Sequence, residues 1–137
     1  MGKLQRVLNS AARLACKVSC NDRIRSNELF HKLHWLRVRE RVVYKVLVTV
    51  HKCLFENAPV NVKNLISLSQ NIRLRTLEVR DCRSSYGERA FSVCGPRLWN
   101  CLPPSMRFVS DLEDFKNDLK TYLFKNGQDF YNLIHMK

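Results

Sequence analysis

Residues 33 to 55, LHWLRVRERVVYKVLVTVHKCLF, run without a Gly, Pro or Asn. Val38, Val42, Val43, Val46, Leu47, Val50, Cys53 and Leu54 recur with the i, i+3, i+4, i+7 rhythm of one helix face. Val42, Tyr44, Val46, Val48 and Val50 also alternate with their neighbours, and such β-branched density favours a strand. Length decides for helix, because Arg37 to Glu56 is roughly three times a usual strand and suits one helix of about 30 Å. Arg37, Arg41, Lys45 and Lys52 then share a second face, so the helix carries one apolar and one cationic stripe.

Upstream, Leu4, Val7, Leu8, Ala11, Ala12, Ala15 and Val18 predict a first, surface-packed helix, with Lys3, Arg6, Arg13 and Lys17 away from the stripe. Asn21-Asp22 breaks it, and Ser26 is the expected N-cap of a short second helix with Leu29, Phe30 and Leu33 inward. Asn57-Ala58-Pro59 ends the central helix, and Val60 to Leu68 predicts a fourth with Val62, Leu65 and Ile66 inward. From Gln70 to Gly87 the apolar period fades into an Arg-rich loop or hairpin, with Leu74, Leu77 and Val79 as its strand. Phe91 to Leu102 resumes a helical pattern, with Pro96 expected in its first turn and Pro103-Pro104 as its stop. Ser110-Asp111-Leu112-Glu113 reads as a capping box, Leu112, Phe115, Leu119, Tyr122 and Leu123 as the docking face, and Asn126-Gly127 as a left-handed stop. The resulting fold class is mainly α, a compact bundle of five to six helices with at most one small β-hairpin. Residues 1–125 form a single helical domain, and 126–137 a short tail expected to fray.

Charge alters this picture more than composition does. The 137 residues are 45% hydrophobic and 26% charged, ordinary for a globular chain, but the net charge is +12. Residues 1 to 56 hold 12 Lys+Arg against 4 Asp+Glu and residues 57 to 109 hold 8 against 3, whereas residues 110 to 137 hold 4 against 5. A polyanionic partner would therefore meet the first two thirds. Six Cys without a secretory signal are read as free thiols of a reducing compartment, which places the protein in the nucleus or cytoplasm, not secreted. No apolar run reaches membrane-span length, so no membrane partner is expected. The acid-free, amphipathic start also fits a mitochondrial transit peptide, and Gly2 is no lipid anchor because Arg6 stands where myristoylation wants Ser or Thr.

The segment LHWLRVRERVVYK at 33 to 45 resembles the LHWLPVRQRIxFK block near the C-terminus of jockey-like non-LTR (LINE-type) retrotransposon reverse transcriptases. LQRVLNSAARL at 4 to 14, YGERAFSVCGPRLWNCLP at 86 to 103 and DFKNDLKTYLF at 114 to 124 agree with that family in order, with both Trp in place. The resemblance implies the thumb and thumb-following region, beyond the catalytic palm. Arg37 stands where the family usually has Pro, which opens the turn between Trp35 and Val38 to replacement by continued helix.

Reverse transcriptases of this family hold two metal ions with an aromatic-x-Asp-Asp turn in the palm, and the chain has no Asp-Asp pair. Asp22, Glu28, Glu40 and Glu56 are scattered, and Asp111, Glu113 and Asp114 suit the positive end of a helix. Cys16, Cys20, His31 and His34 approach a Cys2His2 order, but the spacing departs from zinc fingers and buried thiols with core or interface histidines are expected instead. Cys94 and Cys101 read as core, no Gly-rich phosphate loop is present, and no base can be assigned to a Cys nucleophile. The expectation is no catalytic residue, no metal and no cofactor. What remains is Arg6, Arg13, Lys17, Arg37, Arg39, Arg41, Lys45, Lys52, Arg73 and Arg75 as a nucleic-acid-binding set, with Arg80 and Arg83 in the same loop. Trp35 and Trp99 are expected as core anchors rather than stacking platforms. The function expected is a non-catalytic C-terminal fragment of a retrotransposon RNA-directed DNA polymerase, gripping RNA or DNA backbone with little sequence specificity. The alternative is a retroelement-derived protein–protein interaction module without a nucleic-acid role; a helix-turn-helix reader is a weaker third.

Overall fold

The computed structural model describes residues 2–19, 21–56, 58–69, 74–84 and 86–135, with side chains except at 128, 129 and 131–135. Among these the architecture is mainly helical, built on α1 (Gly2–Ala15), α2 (Ser26–Leu33), α3 (Val38–Phe55), α5 (Phe91–Asn100) and α7 (Leu112–His135). Single turns α4 (Val60–Lys63) and α6 (Pro104–Arg107) join them, with a 3-10 turn at Gly87–Arg89. The one β interaction among the described residues is an antiparallel bridge between Leu68 and Leu77.

The organising pair is α3 and α7, whose buried faces are Val43, Leu47 and Val50 on one helix and Phe115, Leu119 and Leu123 on the other. They run antiparallel. The His51 ring stacks on Phe115, at the start of α7, with centroids 4.4 Å apart, and Gly127, near its end, abuts Glu40 in the first turn of α3. α5 covers a further side of α3, brought close by Gly95, where an added Cβ would stand 3.1 Å from Val50 Cγ2. Trp99 is fully buried beside Phe115, and Leu36, Leu77, Leu98, Leu102, Met106 and Phe130 complete this core. A second, smaller cluster of Ala12, Leu29 and Phe30, backed by Leu8, Leu33 and Trp35, holds α1 to α2.

The break between α2 and α3 is kept despite the absence of Pro. His34 takes a left-handed conformation (φ 52°), and Arg37 is extended with its N–H donating to Glu40 Oε2 at 2.8 Å. That bond caps α3 and fixes its first residue at Val38. Ser26 is the first residue of α2 rather than its cap, which is Arg25. The predicted fourth helix shrinks to one turn, because Lys63 and Asn64 bond back to Pro59 and Val60 but Ile66 bonds only i−3. Pro96 lies in the middle of α5, since the helix already starts at Phe91 with Cys94 N–H bonded to Ala90. Cys101 is exposed, not core.

At α7 the cap is Asp111, whose Oδ1 accepts from the N–H groups of Glu113 and Asp114 at 2.8 and 2.9 Å; Ser110 stands outside it. The Asp111 carboxylate reaches the orphan donors of Glu113 and Asp114 from the position adjoining Leu112. Gly127 does not stop the helix, which continues to His135 and buries Phe130. Glycine here lets two helices approach rather than turning the chain. The apolar stripe of α1 is also less buried than its pattern predicts: Ala12 alone is buried, and Leu4 and Val7 stay 64% and 68% exposed.

Candidate nucleic-acid interface

The buried arc of α3, centred on Val43, Leu47 and Val50, leaves the opposite arc to solvent. Spaced by three and four residues along a 3.6-residue turn, Arg41, Lys45, Thr49 and Lys52 fall on that outer arc, and all four are exposed. Arg41 is oriented: its Nε donates to Leu36 O at 2.9 Å and its guanidinium lies 5.8 Å from the Trp35 ring centroid. Lys45 and Lys52 extend into solvent, and no carboxylate pairs with any of the three among the described residues. From Arg41 to Lys52 this stripe spans about 16 Å of helix axis.

The other expected contacts scatter. Arg37 sits at the cap and donates to Asn27 Oδ1, held there rather than extended along the stripe. Arg39 is exposed in the first turn of α3, one turn before Val43 and on the side of the buried residues, so it does not belong to the stripe. Arg13 is a clasp: its guanidinium donates to the carbonyls of Ser19, Asp22 and Ile24 at 3.1 to 3.3 Å, closing the loop after α1. Arg6 and Lys17 are exposed on α1 and just beyond it, with Lys17 in a left-handed conformation (φ 54°) that ends the helix.

Arg75 does something different. Its guanidinium lies between the rings of Phe55 and Phe108, 4.9 and 5.1 Å from their centroids, and its carbonyl accepts from Trp99 Nε1 at 2.8 Å. The chain around it is fastened like a strand edge. Asn100 donates to Leu77 O and accepts from Leu77 N–H, both at 2.8 Å, and buried Arg107 donates to Leu74 O at 2.8 Å. Of the expected strand residues, Leu77 enters the core while Leu74 and Val79 are exposed. Arg73 lies outside the described residues. Sequence reasoning missed Asn100 and Arg107 as clamps, because nothing local marks a polar side chain that pairs with backbone many residues away.

His31 and His34 both pack against the Phe124 ring, with centroids 5.0 and 4.2 Å away, which ties α2 to α7. Cys20 lies outside the described residues, and among those described no group of three His, Cys, Asp or Glu is arranged to hold a metal. Burial pushes the Cys53 and Cys94 thiols up, the direction opposite to an activated nucleophile. His51 is fully buried, and its Nε2 carries the proton, since it bonds to Val109 O at 2.9 Å and a carbonyl only accepts. Burial holds it below the ordinary value, outweighing the Val109 bond and the fields of Glu56 and Asp111.

A cleft adjoins the cationic stripe. Leu4, Val7, Leu8 and Ala11 of α1 face Val38, Val42 and Val46 of α3 across a groove of about 550 Å3, with Arg41 and Lys45 on its rim. Among the described residues no helix is long and apolar enough to cross a membrane. Comparison of the chain with protein-family models, with curated proteins and with solved structures found no match.

Proposed function

We propose that this chain is a non-catalytic helical module that binds nucleic-acid backbone, and that it corresponds to the thumb and thumb-following region of a jockey-like non-LTR reverse transcriptase. The observation that carries the reading is the outer face of α3, where Arg41, Lys45 and Lys52 stand exposed, one to two turns apart, without a carboxylate partner among the described residues. Such a row meets successive phosphates, and the net charge of +12 supplies the surrounding field. Contacts of this kind neutralise phosphates and leave base edges unread, so RNA and DNA bind with little sequence preference. The setting that suits this activity is the nucleus or cytoplasm, and the chemistry calls for no cofactor.

The test replaces Arg41, Lys45 and Lys52 by Gln together, which keeps helix propensity while removing three charges. Single-stranded and duplex binding should both weaken, and the slope of log affinity against log salt should flatten by about two to three units with the circular dichroism spectrum intact. An unchanged slope would assign these charges to solvent. A second reading, a retroelement-derived protein–protein interaction module, is favoured by one observation, the open apolar groove beside the stripe.

A further inference from the structure

We propose that the cleft between α1 and α3 is a docking groove for an acidic amphipathic helix of a partner protein. The inference stands without the nucleic-acid reading, although both use Arg41 and Lys45.

Its floor is made of aliphatic side chains left open by the way α1 is attached. The Ala12, Leu29 and Phe30 cluster anchors one flank of α1, and Gln5 Oε1 accepts from the Val38 N–H at 3.0 Å, so α1 is held beside α3 without closing on it. Leu4, Val7 and Val42 consequently remain 64%, 68% and 47% exposed while facing one cleft. An apolar patch with a cationic rim is the usual mark of an interaction site. Each wall, Leu4 to Ala11 and Val38 to Val46, is about two helical turns long, which matches a third helix laid in with anchors at i, i+3, i+4 and i+7. Leu8 already touches the small cluster and Val46 the large one, so an occupant would join the two cores.

Charge selects the occupant. None of the groove residues is acidic, Arg41 is fixed at the rim by Leu36 O and Trp35, and the nearby Glu40 carboxylate is occupied by the Arg37 N–H. A partner helix bearing Asp or Glu beside its apolar face answers both features. A second copy fits worse, because Gly2–Ala15 carries Lys3, Arg6 and Arg13 and no acid, and would set cations against cations. A bilayer is the other apolar phase that a basic amphipathic helix can enter, and the vesicle arm of the test separates it. A phosphate backbone gains nothing from an aliphatic floor.

The probe is a labelled synthetic helix about five turns long, with Leu at i, i+3, i+4 and i+7 and Glu flanking them, read by fluorescence anisotropy beside its scrambled form. Val7→Glu and Val42→Glu alter side chains that are 68% and 47% exposed, so two independent variants test the floor. The intact helix should bind, and the scramble and each variant should weaken binding about ten-fold or more. Lys52→Gln should leave the helix bound and weaken oligothymidine, which separates this groove from the nucleic-acid face. The proposal is overturned if the scramble binds equally or if both glutamate variants bind like the parent. It is also overturned if vesicles of phosphatidylcholine and phosphatidylserine capture the protein where the helix does not, or if the protein sediments as a dimer that Val7→Glu dissociates.

Discussion

Asp111 Oδ1 satisfies two of the backbone donors left orphaned at the start of α7, at 2.8 and 2.9 Å. Asp111→Ala should therefore cost about 1 kcal/mol in a urea melt, whereas Ser110→Ala should stay within about 0.5 kcal/mol. A larger loss from Ser110→Ala than from Asp111→Ala would place the cap one residue earlier. His51 gives a different signature. It is buried and neutral between Phe55 and Phe115, so its pKa in the fold lies below the ordinary 6.5. Above pH 6.5 neither folded nor unfolded chain holds the extra proton and the group is silent. As pH falls below 6.5 the unfolded chain takes up a proton that the fold refuses, and stability drops by up to about 1.4 kcal/mol per pH unit until the folded pKa is reached. His51→Phe keeps a flat ring in the slot, and the stability difference between pH 6.5 and pH 5 should shrink; a slope unchanged by the substitution would show that other groups set it.

Between α3 and α7 the informative position is Gly127. An added Cβ would stand 2.6 Å from Glu40 Cγ, and Glu40 cannot swing away without releasing the Arg37 N–H that caps α3. Gly127→Ala should thus destabilise, against the gain of up to about 1 kcal/mol that Ala brings to a helix interior. In a Glu40→Ala background the same change should become stabilising, so a double-mutant cycle read by thermal melts should report a coupling of about 1 kcal/mol or more. Additive effects would mean that the helices do not meet there. Phe115, fully buried at the other end of the pair, should cost about 3 to 5 kcal/mol on truncation to Ala. These elements divide what the sequence discloses from what it hides. The period of α3 and its lack of breakers place both ends within a residue, and the docking face of α7 was legible as Phe115, Leu119 and Leu123. Gly127 and Pro96 misled because the residues that end helices in isolation also serve close packing inside them, and only the partner helix tells the two uses apart. The cationic stripe was visible for Arg41, Lys45 and Lys52, which share a face by spacing alone. What Arg13 and Arg75 hold within the fold was not legible, because their partners, loop carbonyls and the rings of Phe55 and Phe108, are assembled by tertiary folding.

Across the whole molecule the apolar side chains form two unequal groups, one large core through α3, α5 and α7 and one small cluster of Ala12, Leu29 and Phe30 under α1 and α2. Stability need not be uniform when burial is so divided, because a unit with few buried contacts opens at lower free energy than the rest. Links between the two groups among the described residues include the Gln5–Val38 and Arg37–Asn27 hydrogen bonds, the Arg41 guanidinium over Trp35, and the packing of His31 and His34 on Phe124. Native-state hydrogen exchange should accordingly show α1 and α2 protected less than α3 and α7, with the slowest amides around Leu47, Val50 and Leu119. Phe30→Ala empties most of the small cluster while leaving the large one intact, so it should speed exchange in α1 by about a hundred-fold or more with little change in α7. Trp99→Ala strikes the large core and should speed exchange throughout α3, α5 and α7, which share it. If Phe30→Ala instead accelerates α7 as much as α1, the chain unfolds as one unit and the groove beside α1 is as rigid as the core.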